Sequence, residues 1–257
     1  MNRYRFRFIT IAVSLIICII IIIKPLSEWQ KGQGLYDNIG KSEMPWSVWA
    51  KSVDNNNIYL YETGEGENLT LIIGAFHGDE LISALLVYRF AQYLYENDKE
   101  EINCRVIIVP VLNPDGLISG NRINSNGVDV NRNFPTENWS KDYESDRNNP
   151  GKSPASELET KAVIRLIEKY QPNRIISVHS PLIMNNYDGP ARELAEKMGK
   201  YNGYPVEASI GYPTPGSFGT YTGVERNIPV VTLELPDKSI RIIWKQNLGA
   251  LLSTLKY

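Results

Sequence analysis

Cysteine and histidine are scarce in this chain of 257 residues, with two of each. Cys18 lies in an apolar N-terminal run and Cys104 in a strand-like stretch, so the body has no disulfide framework. No block of Lys and Arg occurs and the formal net charge is −2, which removes the electrostatic footing for nucleic-acid binding. A polar, low-complexity chain is excluded as well, since 42% of residues are hydrophobic and 10% aromatic. The length suits one sizeable α/β domain and is short for two enzyme domains.

Acids are missing from the first 24 residues. Arg3, Arg5, Arg7 and Lys24 stand there alone, leaving 23 bases against 29 acids in residues 25–257. Phe8–Ile23 carries no charge. As a helix it would span roughly 24 Å, close to a ~30 Å hydrocarbon core, with Arg7 and Lys24 able to snorkel. Alanine is absent from residues 13–49, so an A-x-A-like cleavage site is missing. Residues 1–24 therefore read as a retained signal anchor, a transmembrane helix. Its arginines stay in the cytoplasm and hold the body outside it, on the periplasmic or extracellular face. Residues 25–44 mix Pro, Gly and charge without a period and read as a tether. Residues 45–257 form the expected folded domain.

That domain alternates strand and helix. Ile58–Glu62 and Leu69–Gly74 are short apolar strand candidates, and Leu81–Tyr95 has helical spacing with Leu81, Ala84, Leu85, Tyr88 and Ala91 on one face. Val106–Val111 is a β-branched run of the kind buried on both faces of a sheet. Ser156 and Glu159 have capping-box spacing and open a helix through Tyr170. Arg174–Val178, Pro229–Leu235 and the apolar-periodic Asp237–Leu255 follow. The fold class is α/β, with a mixed, largely parallel sheet covered by helices on both faces. Sites in such sheets gather at the carboxyl ends of strands.

Both histidines stand at such ends. His77 and Glu80 follow the strand at Leu69–Gly74, and their i, i+3 spacing lets imidazole and carboxylate converge across one turn. His179 follows Ile175–Val178 and can arrive at the same sheet edge. Two His and one Glu leave a fourth tetrahedral position, the arrangement of a catalytic zinc site. Taken alone, the pattern also fits two unrelated polar residues at strand ends.

A longer series of short motifs follows. These are His77-Gly-Asp-Glu80, Asn113-Pro-Asp-Gly116, Gly120-Asn-Arg122 and Gly127-Val-Asp-Val-Asn131-Arg132-Asn-Phe-Pro135. Later come His179-Ser-Pro, Asn186-Tyr-Asp-Gly-Pro190, Gly216-Ser-Phe-Gly-Thr-Tyr221 and Thr232-Leu-Glu234-Leu-Pro236. In this order they resemble the zinc carboxypeptidases of the M14 group, and more closely its bacterial murein peptide amidase branch, over about residues 45–257. The resemblance implies one Zn²⁺ per chain held by His77, Glu80 and His179, the ligand set of carboxypeptidase A. It makes Glu234 the general base that takes a proton from water activated by the metal. Arg122 becomes the stabiliser of the oxyanion, and Tyr221 a loosely matched phenol over the substrate. Asn131 and Arg132 become the clamp on the substrate's terminal carboxylate, which a guanidinium binds bidentately. Asn113-Pro-Asp-Gly116 is a turn by composition and reads as architecture.

The departures matter as much. Asp79 stands where many digestive-type members carry an arginine, which argues against an ordinary peptide carboxypeptidase. The resemblance implies as substrate a murein peptide cut at a γ-D-glutamyl bond to diaminopimelate. An acid such as Asp79 or Asp188 would pair with the distal ammonium, while Asn185, Asn186 or Tyr187 would hydrogen-bond the remaining polar groups. The bland alternatives are Asp79 as a helix cap and Tyr187 and Tyr221 as core residues. Thr136–Pro154 is long enough to rim a cleft. Two other activities share parts of the pattern: a general metallocarboxypeptidase and an N-acyl amino acid deacylase of the desuccinylase and aspartoacylase type. A catalytically dead wall-binding module is disfavoured, because every expected catalytic residue is present.

Overall fold

The β-branched runs come together in one eight-stranded sheet in the computed structural model, which describes residues 30–97 and 104–256. The strands are β1 (Ser47–Lys51), β2 (Asn57–Thr63), β3 (Leu69–Ile73) and β4 (Arg105–Val109), then β5 (Arg174–His179), β6 (Met184–Asp188), β7 (Val206–Glu207) and β8 (Val230–Glu234). Their order across the sheet is β1-β2-β4-β3-β5-β8-β6-β7. The central strands β4, β3, β5 and β8 are mutually parallel, whereas β2 and β6 flank them antiparallel. The sheet is therefore mixed with a parallel centre. β3 is buried at all five positions, as its unbroken apolar run requires.

Side chains alternate across it. Leu69, Leu71 and Ile73 join one core cluster and Ile72 the other. On one face Phe90, Leu94, Ala195, Met198 and Leu251 pack from α2 (Leu81–Glu96), α5 (Arg192–Asn202) and α6 (Ile240–Thr254). On the other, Val163 and Leu166 of α4 (Leu158–Tyr170) pack with Phe76, Phe134 and Phe218. Helices cover both faces, as the alternation of elements implied.

Three local expectations need correction. The stretch read as a tether, 25–44, is helical over 30–41, here α1, and buries Leu35 and Ile39 against Ala75, Ala84, Val111 and Leu117. Its apolar residues are too few to show a period, and the packing surface comes from other elements. Ser156 does not cap α4: Glu157 holds the N-cap position without a side-chain cap bond, and the Ser156 hydroxyl donates to Glu157 Oε1 instead. Asn113-Pro-Asp-Gly116 is more than a turn. It opens the short helix α3 (Pro114–Ser119), with Asn113 Oδ1 accepting from the Gly116 N–H and Pro114 in the first turn. The expected anchor, 1–24, lies outside the described residues. Among the described residues no helix is long and apolar enough to cross a membrane.

Candidate active site

The loop leaving β3 turns sharply to deliver His77 and Glu80. Ala75 adopts φ +47°, and its N–H is held by Ser83 Oγ, which in turn donates to the Glu80 carbonyl. Gly78 passes directly beside α3. A Cβ there would stand 1.9 Å from the Gly116 carbonyl carbon, so only glycine fits. His179 ends β5 and lies in register with Glu234 at the end of the neighbouring parallel strand β8. Sheet register thus sets a metal-site histidine beside the expected base.

His77 Nδ1 lies 2.7 Å from Glu80 Oε1 and 3.3 Å from His179 Nδ1, and His179 Nδ1 lies 3.1 Å from Glu80 Oε2. All three side chains are buried, and one ligand atom from each falls within 4.8 Å of the others. The distal nitrogens are engaged elsewhere: His77 Nε2 with Asp129 Oδ1 and His179 Nε2 with Ser177 Oγ, each at 3.0 Å. Outer partners of this kind fix ring orientation and leave the inner nitrogens as ligands. Two imidazole nitrogens and a carboxylate aimed at one point are a donor set that zinc fits. The electrostatics agree. Burial alone would lower the His77 pKa, yet Glu80 and Asp129 hold it at about 9, so the cluster favours a positive charge at its centre.

Arg122 approaches the same point. Its Nη2 pairs with Asp129 Oδ2 at 2.9 Å, its Nε donates to the Arg147 carbonyl at 3.0 Å, and its Nη1 stands 3.6 Å from Glu80 Oε1. Asp129 is completely buried and binds His77, Arg122 and the Asn131 N–H together. It lay inside a quoted motif but received no role from the sequence. The available signal was an acid between Val128 and Val130, a place that needs a buried partner.

A cavity of about 230 Å³ opens from these ligands and is lined by Arg122, Asn131, Arg132, Asn186, Asp188 and Glu234, among others. Asn131 Oδ1 accepts from the Phe218 N–H, which leaves its NH₂ group for a ligand. Burial pulls the Arg132 pKa down, though not enough to discharge a guanidinium. Burial also pushes the Glu234 carboxyl up, the direction that suits a proton acceptor working near neutrality.

Four expected residues fall elsewhere. Tyr221 belongs to the core: its ring packs on Phe134 at 5.4 Å and under Arg226, in a π-helical turn, Thr220–Val224, that faces inward. Tyr187 packs against the core cluster on the helical face, because alternation along β6 points it opposite to Asn186 and Asp188. Asp79 lines an adjoining cleft and pairs with Arg147 at 2.8 Å. It does not cap α2, whose N-cap residue is Glu80. Asn185 is likewise turned away, bonded to Asn202 and the Tyr204 carbonyl. The phenol that does line the cavity is Tyr212, 52% exposed and near Arg132. Its only sequence signal was an aromatic between the turn residues Gly211 and Pro213. Within the 136–154 stretch, Arg147 lines the adjoining cleft and contacts Asp79 and Arg122.

Comparison with known proteins agrees with this geometry. The family model described as zinc carboxypeptidase, the M14 peptidases, matches residues 35–247. Murein peptide amidase A of Vibrio campbellii is 34% identical over 212 residues, 78% of this chain and 82% of the relative. The same enzyme of Escherichia coli K12 is 34% identical over 198 residues, 73% and 79% of the two chains. The crystal structure of murein-tripeptide amidase from Escherichia coli O157 superposes with a TM-score of 0.72 at 29% identity, covering 84% of this chain and 94% of that one.

Proposed function

The chain belongs to the zinc carboxypeptidase family, and from that membership we propose a zinc-dependent amidase that removes the C-terminal residue of a murein peptide at a γ-D-glutamyl bond to diaminopimelate. One observation carries the reading: ligand trio, base and carboxylate clamp share a single cavity. Zinc held by His77, Glu80 and His179 would polarise the scissile carbonyl and lower the pKa of the attacking water. The remaining work belongs to side chains. Glu234 takes the proton from water and returns it to the leaving amine, and burial raises its pKa, the direction that favours accepting the proton. Arg122 offers N–H donors where negative charge grows on the carbonyl oxygen, and Asp129 keeps its guanidinium aimed there. Arg132 and Asn131 hold the free carboxylate of the residue to be released and so fix which bond meets the base.

The murein assignment draws on the relatives, which are named for that substrate, at 34% identity over most of both chains. A general carboxypeptidase remains the broader form of the same chemistry. The N-acyl amino acid deacylase is not favoured, since the relatives described above are murein peptide amidases. For location, the arginines before Phe8–Ile23 support an anchored protein whose body lies outside the cytoplasm.

Mass spectrometry of defined muropeptides incubated with the zinc-loaded protein tests the substrate. Release of diaminopimelate from the tripeptide is the expected result; cleavage of plain L-peptides with the wall peptide left intact would overturn it. The variant Glu234→Gln should keep its zinc and lose roughly 10³-fold or more in kcat. Retention of a tenth of wild-type turnover would place the base elsewhere.

A further inference from the structure

A second groove, of about 750 Å³, lies between α1, α2 and α6 and plays no part in the chemistry above. Leu35 and Asn38 of α1, Leu85, Tyr88 and Tyr93 of α2 and Trp244 of α6 line it. Its border is cationic. Lys31 and Arg89 belong to the lining, and the Arg89 guanidinium lies 4.8 Å from the centre of the Trp244 ring. Arg241 and Lys245, each next in sequence to a groove residue of α6, are exposed. Among the described residues none of these four cations has a carboxylate partner. Glu96, at the end of α2, is the one acid in the lining. The body carries 29 acids against 23 bases, so this face reverses the sign of the whole. Apolar and aromatic side chains bordered by Lys and Arg suit the boundary between anionic headgroups and acyl chains.

The covalent path to a membrane is short. Residues 25–29 separate Lys24, which closes the apolar run, from Gln30 at the start of α1, and they bridge no more than roughly 20 Å. A bilayer that holds the run therefore lies within that distance of the helix start, where Lys31 lines the groove. We propose that the face formed by α1, α2 and α6 is a membrane-docking surface, seated on the anionic phospholipid headgroups of the leaflet that the chain's own apolar run enters. The inference rests on the anchored reading of residues 1–24. Tethering makes a weak face sufficient, because it supplies an effective concentration of about millimolar order. The groove also shares Lys31, Leu81, Leu85 and Ile240 with the cleft that holds Asp79, and that cleft meets the catalytic cavity at Glu80 and Arg122. Docking thus sets the approach to the zinc ligands beside the membrane surface.

The test uses the full zinc-loaded chain, mixed with vesicles of phosphatidylcholine alone or of phosphatidylcholine and phosphatidylglycerol in equal parts. A fluorophore is attached through Asn38→Cys or Val224→Cys in a Cys18→Ser background, and spin-labelled lipid is the quencher. Asn38 is exposed in the groove, whereas Val224 is exposed in the turn whose Tyr221 packs on the other face of the sheet. On the anionic vesicles the probe at 38 should be quenched at least about threefold more than the probe at 224. The difference should vanish on phosphatidylcholine alone, in high salt, and in a variant combining Lys31→Glu, Arg89→Glu, Arg241→Glu and Lys245→Glu. Retained zinc shows that this variant is folded. If carbonate extracts the chain yet the probe at 38 is still quenched, the anchored reading falls and the docking surface stands. Equal quenching at the two sites in an inserted chain overturns the docking surface and leaves the anchor. Equal quenching at 38 on neutral and anionic lipid overturns it too. So does a probe shielded from aqueous quencher but untouched by lipid quencher, which would place a second copy of the chain in the groove.

Discussion

Asp129 ties His77 to Arg122 at the scale of single residues. One oxygen meets His77 Nε2 and the other meets Arg122, so one carboxylate orients two groups that line the same cavity. Its own pKa lies far below the usual carboxylate range: burial opposes the charge, but His77 and the arginines outweigh it. Asp129→Asn removes the charge while keeping the shape. Zinc affinity should fall about 10- to 100-fold, measured by competition with a chromogenic chelator. Unchanged affinity would make Asp129 a packing residue only. Glu234 faces the cavity from the other side, and the loss expected in Glu234→Gln is one of turnover rather than of metal. The two variants thus separate holding the ion from using it.

Two elements decide whether those residues meet. The first is the crossing of the β3–α2 loop over α3. Gly78 leaves no room for a methyl group against the Gly116 backbone, and neither side is a flexible side-chain end. Gly78→Ala should cost about 2 kcal/mol or more in stability and release zinc, since His77 must shift to relieve the clash. Thermal melting together with metal analysis checks this; a normal Tm with full zinc would show that the loop yields cheaply. The second element is α1. Ile39 is fully buried among Ala75, Ala84, Val111 and Leu117, directly behind the loop that carries His77. Ile39→Ala should destabilise the domain by about 2–4 kcal/mol in a denaturant titration. A change within about 0.5 kcal/mol would return this stretch to the role of a tether.

At the scale of the whole molecule, the sheet's parallel centre gathers the chemistry at one edge. β3, β5 and β8 run the same way, so the loop after β3 and the ends of β5 and β8 deliver His77, His179 and Glu234 to a common face. The charge asymmetry sets a second expectation, for topology. With Arg3, Arg5 and Arg7 ahead of an uncharged apolar run, the C-terminus should lie outside the cytoplasm. A reporter that folds only in an oxidising compartment, fused after Tyr257, should be active in cells. An active cytosolic reporter at the same place would refute that orientation.

What the sequence determined by itself was local or ordered along the chain. Apolar runs marked β2, β3, β4, β5 and β8, and in β3, β4 and β8 burial on both faces demands apolar residues at nearly every position. The order of short motifs marked His77, Glu80, His179, Glu234, Arg122, Asn131 and Arg132, and all seven line one cavity. The edge strand β7 and its neighbour β6 went unread because they carry no apolar run. Only the tertiary structure decided between residues of the same type. Tyr212 rather than Tyr221 faces the cavity, and Asp188 rather than Asp79 enters it. It also gave Asp129 its partners and α1 its packing surface. The reason is the same in each case. A residue's type and local period fix what it needs, but strand register and the close passage of distant backbones fix which groups it meets.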